Sequence, residues 1–381
     1  MTFSLRGTSA FVGTGQAGIG AAPGYTHLDL LGLAVREALD DSGLKLSDID
    51  GLFTANMVNI LPTLAVGEYL GIRPKVAVGT NTGGNSFVDH VLWASLALQA
   101  GLCNVALICY GSNARTASSQ SPPDAPPYEA IYKPREPIVS YALAAARHMH
   151  QYGTTREQLA AVAVAARQWA QKNPDAFARD PLSVADVMKS RMICDPLSLL
   201  DCCLVTDGAG AVIMTRSDRA KDLAKPPVYM LGCASAQTHR QISQMPDLTV
   251  TAAARSGPRA FEMAGLKPSD VNVLQLYDAF TINVVLFLED LGFCRKGEGG
   301  ALVASGAIAP GGKLPVNTNG GGLSCVHPGM YGIFTLIEGI TQLRGLGGER
   351  QVSGAEVALC HGNGGLLSCQ TTALLGTAAT L

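Results

Sequence analysis

Apolar positions along this chain follow two alternating patterns. Short continuous apolar runs at Ser9 to Val12, Val105 to Cys109, Ala209 to Met214, Val228 to Leu231 and Val273 to Leu276 read as strands, several of them buried on both faces. Between them, apolar residues at helical spacing predict helices over His27 to Asp41, Ser140 to Tyr152 and Thr155 to Gln171. The first of these closes before Gly43, as a helix end should. The stretch from Ala114 to Pro137 is rich in Ser and Pro and predicts a loop. This alternation of strand and helix predicts α/β layers.

An internal repeat organises the elements. Ala34 to Asp50 and Gly257 to Asn272 each read as a helix closed by Gly-Leu-Lys-x-Ser-Asp. Val105 to Gly111 is matched by Val357 to Gly362, and each is preceded by a long apolar helix, starting near Ser86 and near His327. Two copies of one α/β unit follow: an N-terminal half over 1–235, carrying an inserted loop domain at 113–206, and a C-terminal half over 236–381.

Composition narrows the function. Charged residues are 15% of the chain, against about 25% in an ordinary soluble protein. Much of the surface is therefore expected to lie in a large core or against another subunit. With a net charge of −2 and no basic stripe, a nucleic-acid partner has no electrostatic support. No apolar run reaches the roughly 20 residues of a membrane helix, and the N-terminus has no signal-like stretch. A cytoplasmic location is expected. The ten cysteines form no C-x-x-C and read as reduced thiols. No metal site is expected, and the pair His148 and His150 reads as a helix-surface feature beside Arg147. Gly13, Gly15 and Gly18 spell G-x-G-x-x-G after a strand, but Gly20 and Pro23 follow where a dinucleotide site needs a helix. A glycine-rich loop is the expectation there.

Candidate chemistry concentrates in the C-terminal half. Tyr277, Asp278, Ala279 and Phe280 follow the strand ending at Leu276. A second cluster runs from Asn317 to Gly332 and contains His327, Pro328, Gly329 and Tyr331; a third is Cys360 to Gly365. Strand ends in α/β sheets are where ligands bind. Pro328 suits a first helical turn, which would leave His327 at a helix N-terminus, beside free N–H groups.

These clusters resemble the thiolase superfamily, in particular its sterol-carrier-protein type. Val326, His327 and Pro328 match the family's G-H-P block, with Val in place of Gly. Cys360, His361 and Gly362 match C-x-G; Tyr277 to Phe280 matches N-E-A-F; and Asp195 to Ala209 resembles the sterol-carrier type closely. The resemblance covers essentially the whole chain. It implies an α/β fold of five layers, αβαβα, built from the two halves, and a homodimer. The departure is at Gly84, Asn85 and Ser86, where the family's C-x-S block carries its nucleophile. Glycine cannot form an acyl-enzyme. Tyr277 likewise replaces the water-holding residue of its block.

What the resemblance then implies is a lyase: retro-aldol cleavage of a 3-hydroxyacyl-CoA, which needs a base, an oxyanion site and an acid but no nucleophile. Cys-lacking members of this branch cleave steroid side chains and pair with a small OB-fold, zinc-ribbon-type protein. No cofactor beyond the coenzyme A thioester is expected. His327 is assigned oxyanion binding or proton transfer. Tyr277 would need a neighbouring cation or hydrogen bonds to serve as a base. Tyr331 would share a helix face with His327. Asp278 orients a ligand-facing group or caps the helix after Phe280. Cys360 is the acid/base candidate, and His361 beside it in extended chain should face the other way. Gly84, Asn85, Ser86, Gly329 and Gly362 are expected to line the substrate, with room for a methyl at 84 unless it fills the acyl channel. The alternatives are an acyltransferase recruiting another cysteine, Cys360 first, and a non-catalytic scaffold that binds an acyl-CoA or a partner.

Overall fold

The computed structural model describes residues 4–56, 58–117 and 127–381. Part of the expected loop, 118–126, lies outside them. Among the described residues the strands are β1 (Ser9–Gly20), β2 (Gly51–Thr54), β3 (Val76–Gly79), β4 (Val105–Ser112), β5 (Met192–Cys194), β6 (Leu197–Ser198), β7 (Asp207–Arg216), β8 (Val228–Gln237), β9 (Val273–Leu276), β10 (Val357–Gly364) and β11 (Cys369–Gly376). The helices are α1 (His27–Ser42), α2 (Pro62–Leu70), α3 (Ser86–Gln99), α4 (Pro127–Ala130), α5 (Ile138–Tyr152), α6 (Arg156–Gln171), α7 (Val184–Lys189), α8 (Ser217–Ala220), α9 (Ala253–Ala264), α10 (Thr281–Asp290), α11 (Gly299–Ala304), α12 (Gly321–Ser324) and α13 (Gly332–Leu343).

Strand order shows the doubling. The large sheet runs β3-β2-β4-β7-β1-β8-β11-β10-β9. Outward from its middle, β1-β7-β4-β2 is answered by β8-β11-β10-β9. In each half the first two pairings are antiparallel and the third parallel. At the middle of the sheet, β1 and β8 pair through only two residue pairs, Ala10 with Tyr229 and Phe11 with Val228. α3 and α13 pack on each other and on strands of both halves, so they form the middle layer. α1 covers β1, β4 and β7 from outside, and α9 covers β8 and β11. Five layers result, αβαβα, as the resemblance implied. The segments α5 and α6 between β4 and β7 pack on α10, and α6 also on α11 and α12.

The local repeat has a physical cause. α1 ends at Gly43 (φ 72°) and α9 at Gly265 (φ 65°), both left-handed caps that favour glycine. In the turn that follows, the N–H of Lys45 donates to Asp48 Oδ2 and that of Lys267 to Asp270 Oδ2.

Two expectations are corrected here. Gly13, Gly15 and Gly18 lie within β1 and form no loop. A Cβ at Gly13 would come 2.2 Å from Ala38 O, and one at Gly15 2.1 Å from Ala34 O. These glycines let α1 settle onto its strand. His148 is also not a surface residue: it is buried, with Nε2 3.0 Å from Glu289 and Nδ1 2.8 Å from Thr154, while His150 is exposed. The cysteines are all unpaired.

Candidate active site

The site forms where β9 ends against the N-terminus of α13. Tyr277 leaves β9 with its N–H donating to His361 O, which fixes the residue beside β10. Its phenol reaches inward. Tyr277 Oη lies 3.2 Å from His327 Nε2 and accepts the backbone N–H of Tyr331 at 3.1 Å. The Tyr277 ring stands edge-on to both neighbours, with centroids 5.7 Å from His327 and 5.5 Å from Tyr331. Gly84, directly ahead of α3, closes the fourth side: a Cβ there would lie 2.2 Å from Tyr277 Cε2. The space where a side chain at 84 would begin is filled by the phenol. The expectation of room for a methyl is therefore corrected.

His327 is held by its backbone, donating to Thr206 Oγ1 at 3.0 Å and accepting from Thr206 N–H. It is not at a helix N-terminus. The chain from Cys325 to Tyr331 is irregular, and α13 begins at Gly332. Gly329, at φ 92°, supplies the left-handed turn that this segment requires. Tyr331 thus shares no helix face with His327, yet the two rings stack, 6.4 Å apart at 14°. Its hydroxyl donates to Asn319 Oδ1 at 3.1 Å.

Burial sets the protonation states. It lowers His327 to about 4, leaving a neutral imidazole at pH 7. It raises Tyr277 well above the ordinary phenol value, helped by the nearby Cys203 thiol, and Tyr331 likewise. Of the two aids a base at this position would need, no cation is among the groups that perturb Tyr277, while the Tyr331 N–H bond is present and works against the burial. With the Tyr331 N–H already donating to the phenol oxygen, we assign the phenol proton to His327 Nε2 and the imidazole proton to Nδ1.

The remaining candidates lie around this centre or apart from it. Asp278 is buried and accepts the N–H groups of Gly322 at 2.6 Å and Leu323 at 3.3 Å. It caps α12, not the helix after Phe280, and burial raises its carboxyl to about 7. Asn85 Nδ2 donates to Thr82 Oγ1, and its buried Oδ1 has no partner among the described residues. Ser86 Oγ accepts from Thr82 N–H. Gly362 leaves room for α3, since a Cβ would meet Asn85 Oδ1 at 3.0 Å.

Cys360 is not gathered into the Tyr277 cluster. Its thiol faces α13, donating to Thr335 O at 3.2 Å, and burial pushes it far above the usual thiol range. His361 faces the opposite side of β10, against Phe287 and Thr372, as extended chain requires. Burial lowers it to about 3.

Sequence reasoning missed Tyr141, which packs on Phe280 at 4.5 Å and accepts from Asn363 Nδ2 at 2.7 Å. It also missed Cys203. Both come from the segment between β4 and β7, whose contact with the C-terminal half has no local signal. Thr206 and Asn319 lay within the quoted clusters but had no assigned role. One turn before Tyr141, α5 opens at Ile138, on the wall of a surface cavity of about 480 Å³. Its lining includes Lys133, Arg135, Arg191, Met192 and Ile193. Among the described residues, no group of three His, Cys, Asp or Glu side chains is placed to hold a metal ion. None of the helices among the described residues is long and apolar enough to cross a membrane.

The doubled five-layer fold and a His–Tyr centre facing a glycine define a thiolase-fold protein without a nucleophile at the head of α3. Comparison with known proteins agrees. The family description "Thiolase C-terminal domain-like" matches residues 234–377. An acetyl-CoA acetyltransferase of Methanothermobacter thermautotrophicus is 34% identical, over 93% of this chain and 96% of its own. The 17-hydroxy-3-oxo-4-pregnene-20-carboxyl-CoA lyase of Mycobacterium tuberculosis is also 34% identical, over 90% of this chain and 92% of its own. The solved structure named Ltp2-ChsH2(DUF35) aldolase superposes with a TM-score of 0.89 at 31% identity, covering 98% of both chains. The chain belongs to the thiolase superfamily, in its sterol-carrier-protein-type branch.

Proposed function

We propose that this enzyme is an acyl-CoA C–C lyase that cleaves a 3-hydroxyacyl-CoA by a non-covalent retro-aldol. The observation that carries the reading is the Tyr277 phenol standing on His327 in the space a side chain at 84 would need. As the Tyr277 phenol turns its proton toward Cα, the His327 Nε2 lone pair it releases takes the substrate hydroxyl proton. The Cα–Cβ bond breaks, releasing a ketone or aldehyde, and the thioester enolate accepts hydrogen bonds. Tyr277 gives its proton to Cα and recovers one from His327 across their 3.2 Å contact. The cycle is proton-neutral and needs no group outside this chain.

The cationic cavity beside α5 suits the phosphates of coenzyme A, and its apolar wall suits the pantetheine arm. The relatives include an acetyltransferase, so the test must separate the two chemistries. The enzyme is incubated with a 3-hydroxyacyl-CoA, with the same acyl group on a truncated thioester, and with acetyl-CoA. Cleavage with a lower KM for the CoA form and no acyl adduct by intact mass is expected. A stoichiometric adduct on a cysteine would replace the lyase by an acyltransferase. Equal KM values would remove the cavity from substrate binding.

The assembly reading is a homodimer. β3 is a sheet edge, and exposed Ile60, Leu61, Leu64 and Trp93 provide apolar surface that a second copy would cover. Gel filtration should give twice the chain mass; elution as a monomer at micromolar concentration would count against it. A small OB-fold, zinc-ribbon-type protein is the proposed further partner, in line with the two-component name of the matched aldolase structure.

A further inference from the structure

Gly84 has no conformational reason to be glycine. Its φ lies outside the left-handed region, so φ does not call for glycine there. What excludes a side chain is space. A Cβ would lie 2.2 Å from Tyr277 Cε2, 2.4 Å from its Oη and 2.6 Å from its Cζ. Carbon atoms in contact settle at about 3.5–4.0 Å.

Neither side of this collision yields without giving up a contact. The Tyr277 ring is wedged between His327 and Tyr331. Its hydroxyl is tied to His327 Nε2 and the Tyr331 N–H, and its own N–H is bonded to His361 O. On the other side, the Gly84 carbonyl backs onto α13: a Cβ at Gly332 would come 2.1 Å from Gly84 O. The two glycines bring the heads of α3 and α13 together and leave one gap between them, into which the phenol fits.

We infer that Gly84 is a positioning residue for Tyr277: its missing side chain is the seat that places the phenol hydroxyl on His327. A side chain at 84 and a phenol at 277 in this pose exclude each other, so the pair also keeps any side chain off the head of α3. The inference deepens the lyase reading and rests on it for its kinetic consequence. Its steric content stands alone.

The test is a double-variant cycle. Gly84→Ala should move Tyr277 Oη beyond 3.5 Å of His327 Nε2 in a crystal structure. It should lower kcat at least about 100-fold, the low end of a lost acid–base group, and leave KM for the CoA thioester within about twofold. In a Tyr277→Phe background, Gly84→Ala should change kcat by no more than about twofold, because the hydroxyl is already gone. A purely structural effect would multiply instead. Melting temperature supplies a second readout: the loss caused by Gly84→Ala should be recovered when Tyr277→Ala removes the ring. An unmoved phenol in the Gly84→Ala structure, independent kinetic losses, or an equal melting-temperature loss in both backgrounds would each overturn the inference. If Tyr277→Phe alone keeps wild-type turnover, the lyase role of Tyr277 fails, and the Gly84→Ala structure still decides the seat.

Discussion

Tyr277→Phe should lower turnover of a 3-hydroxyacyl-CoA by at least about 100-fold while the protein stays folded. The substitution keeps the ring, so its edge-on contacts with His327 and Tyr331 survive. It removes the one hydroxyl that bridges His327 Nε2 and the Tyr331 N–H. The folding cost is that of a hydrogen bond, about 1 kcal/mol. The catalytic cost is larger, because the enolate then has no phenol from which to recover a proton. Tyr331→Phe serves as the internal comparison. Its hydroxyl is spent on Asn319 and its contribution to the centre is a backbone N–H. It should cost about the same in stability and leave turnover within about tenfold, well under the loss from a missing acid–base group. Wild-type turnover in Tyr277→Phe would show that the phenol at 277 donates no proton, and equal large losses for the two variants would show that the Tyr331 hydroxyl is needed as well.

The fold was legible where backbone chemistry repeats. The Gly-Leu-Lys-x-Ser-Asp segments announced two equivalent helix ends, and both carry a left-handed glycine followed by an aspartate that caps the turn. Short apolar runs marked the strands because a strand buried on both faces has no polar side to show. The start of α13 was misplaced because Pro328 suits a first turn, whereas Gly329 in a left-handed turn delays the helix to Gly332. The glycines of β1 read as a loop because close packing of a helix on a strand and a tight turn both call for glycine. Packing across the two halves could not be read at all. Tyr141 and Cys203 reach Phe280 and Tyr277 from a segment far away in sequence. The site itself divided along the same line. His327 and Tyr277 stood out as motif residues, but only the fold shows that Gly84 faces the phenol and that Cys360 turns toward α13.

His327→Ala should reduce turnover by about 10²–10⁴-fold, the range for a positioned base. The pH profile identifies the group. Burial lowers His327 to about 4, so the imidazole is neutral through the physiological range and can take a proton at Nε2 once the phenol turns its own away. In the wild-type enzyme, kcat/KM should be flat across pH 6–7 and fall as pH drops through about 4. The stability sign runs the same way. The folded protein favours the neutral ring while the unfolded chain titrates near pH 6.5, so the contribution is complete above about 6.5 and lost as pH falls toward 4. His327→Ala should abolish both the acid limb and that part of the stability slope. Because the base and the acid pass one proton between them, the double variant with Tyr277→Phe should be no slower than the worse single variant. An acid limb near pH 6.5 would show that His327 does not set it, leaving an unperturbed histidine or the Asp278 carboxyl, raised to about 7, as the group. Multiplying losses in the double variant would mean that His327 and Tyr277 serve separate steps and do not form one relay.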